Sequence, residues 1–334
     1  MAVIGCGMAA LPHGRALRDL SDLIEVRGVY ARNRENREAF AAEFGFPAAT
    51  SAEALAQDAD VDAVLLITPP NAREEYVRMF AAHGKHVLSE KPVERTLENA
   101  ERIVAICAEA GVHLGVVFQH RFREASQKLA DLIWGGALGA IRVVAIDVPW
   151  WRDQAYYDEP GRGTYARDGG GVLVSQAIHT LDLMVSLCGP VKSVQALSAT
   201  TAFHRMEAED FVAGAMVFES GAVGALSTTT AQFPGGAESI RLECDKASVV
   251  LKSGVLQVHW RDGTHEVFGT SAGTGGGADP MAFPFEWHRD LIADFATAVS
   301  AGRPPTVTGA AALEVHRLIA ALERSSAQGA RVDL

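Results

Sequence analysis

An α/β half joined to an α+β half is what the sequence predicts, on three observations. Up to about residue 120, short apolar runs alternate with helical stretches. After residue 140, β-like segments follow one another between turn residues. And 334 residues, at roughly 150 per domain, make about two domains.

The elements follow in order. Residues 2–4 form a short strand ending at Gly5-Cys6-Gly7, a helical stretch follows through Leu20, and residues 23–30 alternate like a strand. Residues 35–44 are helical and residues 61–68 are one apolar run. Helices at 73–83 and 97–110 and strands at 86–89 and 113–118 continue the pattern, which demands a parallel sheet with helices on both faces. The brevity of the first strand predicts a start trimmed relative to the natural chain.

The rhythm then changes. A helix at 125–134, a strand at 141–149, an aromatic and charged loop at 150–168 and a helix at 171–187 precede β-rich segments with hairpin turns. Those segments, at 191–199, 210–218, 223–231, 239–245, 248–251, 255–260 and 265–268, predict an antiparallel sheet of roughly seven strands. Residues 269–279 are glycine-rich and predict a mobile loop, and helices at 284–301 and 310–326 close the chain. The expected domains are 1–120 and 121–334, with the last helices free to pack back on the first.

Composition excludes several classes. Hydrophobic residues at 48% and charged residues at 21% supply a core and exclude global disorder. With 30 Lys and Arg against 41 Asp and Glu, the net charge of −11 argues against a nucleic-acid surface. No apolar run reaches about 18 residues and no basic leader precedes an apolar stretch, so a cytoplasmic protein without membrane contact is expected. Cys6, Cys107, Cys188 and Cys244 form no CxxC pair, so no metal is expected and the thiols are expected reduced.

Three segments carry chemistry. Gly5-Cys6-Gly7-Met8-Ala9-Ala10 is a GxGxxA between a strand and a helix, where the backbone can approach a pyrophosphate at a helix N-terminus. After the second strand, where NAD enzymes place an acidic residue for the ribose, stand Tyr30, Ala31, Arg32, Asn33 and Arg34. Arg32 either pairs with a 2′-phosphate, predicting NADP over NAD, or is a solvated loop charge. The next two strands end at Thr68-Pro69-Pro70-Asn71 and Ser89-Glu90-Lys91-Pro92. Both lie at carboxyl ends of parallel strands, where α/β sheets bind ligands, and Pro92 restricts the exit so that Lys91 is aimed into the crevice. Lysine is scarce in this chain, six in all. The third segment, Gly169-Gly170-Gly171 leading to Ser175, His179 and Asp182, puts three polar side chains on one helix face and points to a proton-handling histidine. The 150–168 loop, with Arg152, Tyr157, Arg162 and Tyr165, suits carbohydrate recognition or an interface.

In that order the GxGxxA, Thr-Pro-Pro-Asn, Glu-Lys-Pro, Gln119-His120-Arg121-Phe122 and GGGxLxxQxIHxLD segments, with Asp294-Phe295 in a late helix, resemble the Gfo/Idh/MocA family. The resemblance implies a Rossmann domain, an open-faced β-sheet domain that mediates homo-oligomerisation as a dimer or tetramer, and a nicotinamide-dependent dehydrogenase or reductase of a sugar, sugar derivative or cyclitol. It implies Lys91 as the group bonding the reacting oxygen and His179 as general acid/base. Ser175 stands where many members carry aspartate. The expected cofactor set is Gly5, Gly7, Met8, Ala9, Arg32, Asn33, Thr68, Pro69, Asn71, Glu90 and Lys91. The expected substrate set is Lys91, His120, Arg152, Tyr157, Arg162, Tyr165, Ser175 and His179. Two other functions share this fold, an NAD-dependent glycosidase using transient oxidation and a non-catalytic sensor of sugar or dinucleotide.

Overall fold

Five short strands, β1 (Ala2–Ile4), β2 (Gly28–Tyr30), β3 (Ala63–Leu66), β4 (His86–Ser89) and β5 (Leu114–Val116), pair in parallel in the order β2-β1-β3-β4-β5. Nearly every strand residue is buried, as the continuous apolar runs require of a sheet covered on both faces. The connections carry α1 (Leu11–Asp19), α2 (Arg34–Phe44), α3 (Ala52–Gln57), α4 (Arg73–Ala82) and α5 (Leu97–Glu109). Chain order reverses between β1 and β3, so the carboxyl ends of these strands open the switch-point crevice in which such sheets bind ligands.

Local chemistry sets the boundaries. Asn33, Ser51 and Thr96 cap α2, α3 and α5 by accepting the backbone N–H three residues on, at 2.9, 3.1 and 3.2 Å. The strand expected over 23–30 is reduced to Gly28–Tyr30, because the amides of Leu23 and Ile24 donate to the Leu20 carbonyl in a turn and leave the ladder. Helix α3 was not expected, its six residues being too few to display a helical period.

This is a computed structural model, which describes residues 1–273 and 283–334. They divide into two compact units, Met1–Gln119 with Phe285–Leu313 and His120–Pro284 with Glu314–Leu334. The second unit holds α6 (Glu124–Trp134), β6 (Ile141–Pro149), α7 (Gln154–Tyr157), α8 (Ile178–Cys188) and strands β7 (Val191–Ala199), β8 (Phe211–Phe218), β9 (Val223–Thr229), β10 (Ser239–Cys244), β11 (Ala247–Lys252), β12 (Val255–Trp260), β13 (His265–Phe268) and β14 (Val332–Asp333). Among the described residues the sheet has nine strands, not seven, in the order β13-β12-β11-β10-β6-β9-β8-β7-β14. It is antiparallel except where β6 and β9 run parallel. The last two-residue strand pairs with β7 through Val332 and Asp333, a partnership no local pattern announces. Burial alternates along β7, β10 and β12, so one face packs and the other is open.

Helix α9 (Glu286–Ser300) groups with the first unit, where Arg289 reaches Asp19 of α1 at 3.4 Å. The Val116 N–H donates to the Val307 carbonyl at 3.1 Å, pinning the segment before α10 (Gly309–Gln328) beside β5. Of the glycine-rich stretch 269–279, the part from 274 lies outside the described residues.

Candidate active site

In the first unit, the predicted cofactor residues gather at the carboxyl ends of β1 to β4. Gly5 has φ +106° and donates its N–H to the Tyr30 carbonyl at 2.8 Å, and a Cβ there would fall 2.7 Å from the Ile67 carbonyl carbon. Only glycine lets the exits of β1 and β3 approach this closely. Gly7 is extended, and a Cβ on it would meet nothing within 4 Å. Gly7, Met8 and Ala9 are all exposed, and the 3₁₀ turn Met8–Ala10 that leads into α1 has no side-chain cap. An open helix entry with glycine at its mouth fits a pyrophosphate.

Arg32 is exposed just past β2, with no carboxylate among residues 31–34. Asn33 is exposed as well, with its Oδ1 taken up as the α2 cap. Beyond β3, Pro69 and Asn71 are exposed and Thr68 is half-buried, its Oγ1 lacking a hydrogen-bond partner among the described residues. These features fit a dinucleotide lying across the β1, β2 and β3 ends.

Lys91 follows β4, half-buried, and its bond to Pro92 is cis. Its main chain is held on both sides. The Lys91 N–H donates to Glu90 Oε2 at 2.9 Å, and its carbonyl accepts from Arg73 at 3.3 Å. Glu90 Oε1 in turn bonds His13 Nε2 at 2.8 Å, and the His13 ring meets the His288 ring edge-on at 4.9 Å. Burial pushes the Glu90 carboxyl up, but His13, with smaller help from His288 and Lys91, outweighs it and holds the group far below the usual carboxylate range. Burial, with His13, pushes His288 down to about 3, so it is neutral at working pH. His13, Glu90 and His288 each bring a ligand-type atom within 4.8 Å of the others.

In the second unit, His179 lies in the first turn of α8, buried, directly after a π-helical turn at Leu173–Ala177 that contains Ser175. Such turns concentrate at functional sites. The ring of His120, from the 3₁₀ turn Gln119–Phe122, stacks on that of His179 at 4.9 Å. Arg123 donates to His120 Nε2 at 2.5 Å and to Glu238 Oε1 at 2.7 Å. Because arginine only donates, His120 accepts at Nε2 and carries its proton on Nδ1. Of the three polar residues expected on one face, Ser175, His179 and Asp182, the last is buried and takes a two-pronged ion pair from Arg121, at 2.7 and 2.6 Å.

The aromatic loop is largely tied to itself. Arg152 is buried, with its guanidinium over Trp150 (5.3 Å) and Tyr156 (5.6 Å). The Tyr157 hydroxyl bonds Thr230 Oγ1 at 2.7 Å, and burial raises its pKa. Arg162 sits 4.2 Å over Tyr156 and pairs with Glu159 at 2.7 Å. Tyr165 stays exposed at 48%.

Sequence reasoning missed Arg73, His13 and Glu209. Arg73 carried a signal, since a cation as first residue of a helix opposes the macrodipole and needs another reason to be there. Glu209 carried none: its carboxylate accepts from the Gly171 and Leu173 amides 38 and 36 residues earlier, at 3.0 and 3.1 Å.

Comparison with known proteins adds three findings. Residues 1–118 match the GFO_IDH_MocA model, described as an oxidoreductase family with NAD-binding Rossmann fold, and residues 126–250 match the GFO/IDH/MocA C-terminal domain. The chain spans 59% and 60% of two curated relatives, the second being the 1,5-anhydro-D-fructose reductase of Ensifer adhaerens, 32% identical over 60% of this chain. The D-xylose 1-dehydrogenase (NADP(+)) 2 of Haloferax volcanii is 28% identical over 93% of this chain and 92% of its own. Among solved structures, the WlbA dehydrogenase from Bordetella pertussis, in complex with NADH and UDP-GlcNAcA, is 30% identical with a TM-score of 0.84, over 100% of this chain and 98% of that one.

Proposed function

The chain belongs to the Gfo/Idh/MocA family of NAD-binding oxidoreductases, and from that premise we propose that it is a dehydrogenase or reductase of a sugar, sugar derivative or cyclitol, with Lys91 and His179 as its catalytic residues. The observation that carries this is the placement of Lys91 at the β4 exit, its main chain bracketed by Glu90 and Arg73, in the same crevice as the open Gly7 turn.

The nicotinamide, when bound, supplies the acceptor or donor of hydride at the reacting carbon. Gly7, Met8 and Ala9 offer backbone N–H groups to the pyrophosphate. Thr68, Pro69 and Asn71 border the nicotinamide side of the crevice. The Lys91 ammonium donates to the reacting oxygen and stabilises negative charge developing on it. His179 takes or returns the proton of that oxygen. His120, held at Nε2 by Arg123, stacks on His179. Ser175 in the preceding turn, with Arg162 and exposed Tyr165, lines the sugar. Arg152 and Tyr157 shape the loop from within. The sugar-derivative ligand of the WlbA structure supports this substrate class.

NADP is the preferred cofactor. An exposed Arg32 in place of an acidic residue suits a 2′-phosphate, and the named cofactor of the Haloferax relative supports it. The open sheet face supports a homo-oligomer: one register row crosses it as Val267, Gln257, Val250, Arg241, Ala145, Ala225 and Ala215, and exposed Val143 and Val223 pair on the same face. No helix among the described residues is long and apolar enough to cross a membrane. Four unbridged, buried cysteines support a cytoplasmic setting.

The test is nicotinamide absorbance over a panel of sugars, sugar acids and inositols with both cofactors. Lys91→Ala and His179→Ala are each expected to lose at least about 100-fold in turnover while still binding cofactor. Parental turnover in both would refute the assignment. In tryptophan-fluorescence titrations, Arg32→Ala should weaken NADP and leave NAD unchanged.

A further inference from the structure

We propose that Arg73 is a positioning residue for Lys91: a single buried guanidinium ties the β3 exit to the β4 exit and so fixes where the lysine stands, a role that rests on Lys91 acting as described above. Arg73 opens α4 and is only 2% exposed. It makes no ion pair among the described residues. Its Nε–H donates to the Thr68 carbonyl at 3.0 Å, one terminal nitrogen donates to the carbonyls of Glu90 (2.5 Å) and Pro92, and the other donates to that of Lys91 at 3.3 Å. Thus one side chain takes the carbonyls of three consecutive residues around Lys91, together with the residue that begins the turn after β3.

The placement is costly on two counts. A buried cation without a carboxylate partner gives up its hydration for neutral acceptors, and burial pushes its pKa down to about 10 against the pull of Glu90 and Glu94. A positive charge at a helix start also opposes the helix dipole, and Asp or Ser would serve α4 better. What neither could do is reach two loops at once. The planar fork of arginine presents donors on both edges, whereas the ammonium of lysine is a point charge on a flexible stem.

The opposite side of Lys91 completes the bracket. Its N–H rests on Glu90 Oε2, and the other oxygen of Glu90 is held by His13 from α1. With the amide fixed by the half-buried Glu90 and the carbonyl by the buried Arg73, the Cα–Cβ direction of Lys91 is set, leaving its side-chain torsions to aim the ammonium. A misplacement of about 1 Å in such a group costs on the order of 100-fold in rate.

The test is kinetic, on the full-length enzyme with its best substrate. Arg73→Lys keeps the charge and loses the fork. It is expected to lower kcat about 10- to 100-fold and, by loosening the Thr68 turn, to raise the cofactor KM. Combined with Lys91→Ala it should add little further loss in kcat, because both changes act through one group. A residue serving stability alone would instead lower the unfolding midpoint and the active fraction, leave kcat per active site and KM at parental values, and combine independently with Lys91→Ala. That outcome, or full additivity, overturns the proposal. Arg73→Gln, which retains a planar donor, is the second variant, and failure of both to fold would make Arg73 structural and also overturn it. If Lys91→Ala itself retains parental turnover, the role of Lys91 fails instead, whatever Arg73 does.

Discussion

Two glycine-rich turns, Gly5-Cys6-Gly7 in the first unit and Gly169-Gly170-Gly171 in the second, both lead into helices, yet they solve opposite problems. In the first, the helix entry has no side-chain cap and Gly7 faces open space, the arrangement on which the proposed pyrophosphate site rests. In the second, the anion is built in: the Glu209 carboxylate takes the Gly171 and Leu173 amides, and the Glu209 carbonyl accepts from Val172 at 2.9 Å. A Cβ on Gly171 would lie 1.8 Å from that carbonyl oxygen. A GxG turn therefore marks a ligand site only where the chain has left its amides unclaimed. The second turn instead anchors the segment that carries Ser175 and His179.

The largest expected effect breaks the second turn. Gly171→Ala drives a methyl into backbone, which cannot yield as a flexible side chain can, and should cost about 4 kcal/mol or more in urea unfolding. A loss under about 1 kcal/mol would show that the turn is not packed as described.

A smaller effect is tied to pH. Glu323 Oε1 faces the same turn, 3.5 Å from where a Cβ of Gly170 would stand, and is buried with no hydrogen-bond partner among the described residues. Burial, then the charge of Glu209, pushes the Glu323 carboxyl up from 4.5 to about 7. The folded state keeps this proton while the unfolded chain releases it, so stability falls as pH rises from about 4.5 to about 7 and is level above. Glu323→Gln should be more stable than the parent by about 3 kcal/mol at pH 8 and equal to it at pH 4. A gain that is the same at both pH values would contradict the assignment.

The smallest effect on stability sharpens the first turn. Gly7→Ala has room and an allowed backbone, so thermal unfolding should stay within about 0.5 kcal/mol of the parent. Cofactor affinity should nonetheless fall about tenfold, because in the proposed site the methyl would stand where the pyrophosphate approaches. Unchanged affinity would place the dinucleotide elsewhere.

Most of the fold was legible in the sequence because its signals are local. The strands at 86–89, 141–149, 191–199, 255–260 and 265–268 coincide with β4, β6, β7, β12 and β13, since each is a β-patterned run bounded by turn residues. The π-helical turn before His179 was not legible, because it depends on how the backbone settles beneath Glu209. Tyr157 and Arg152 read as polyol-binding types, but the partners they find, Thr230 and the neighbouring rings, lie inside the protein.

By itself the sequence determined most of the order of strands and helices, the place of Gly5 where no Cβ fits, and the presence of Lys91 at a strand exit. Those follow from the backbone preferences of a residue and its near neighbours. Tertiary structure alone decided the strand order, the parallel pairing of β6 with β9, the meeting of His13 with Glu90 77 positions away, and the four carbonyls gathered by Arg73. A buried charge takes whatever partners the packed chain brings within hydrogen-bond reach, and that reach is set in space, not along the sequence.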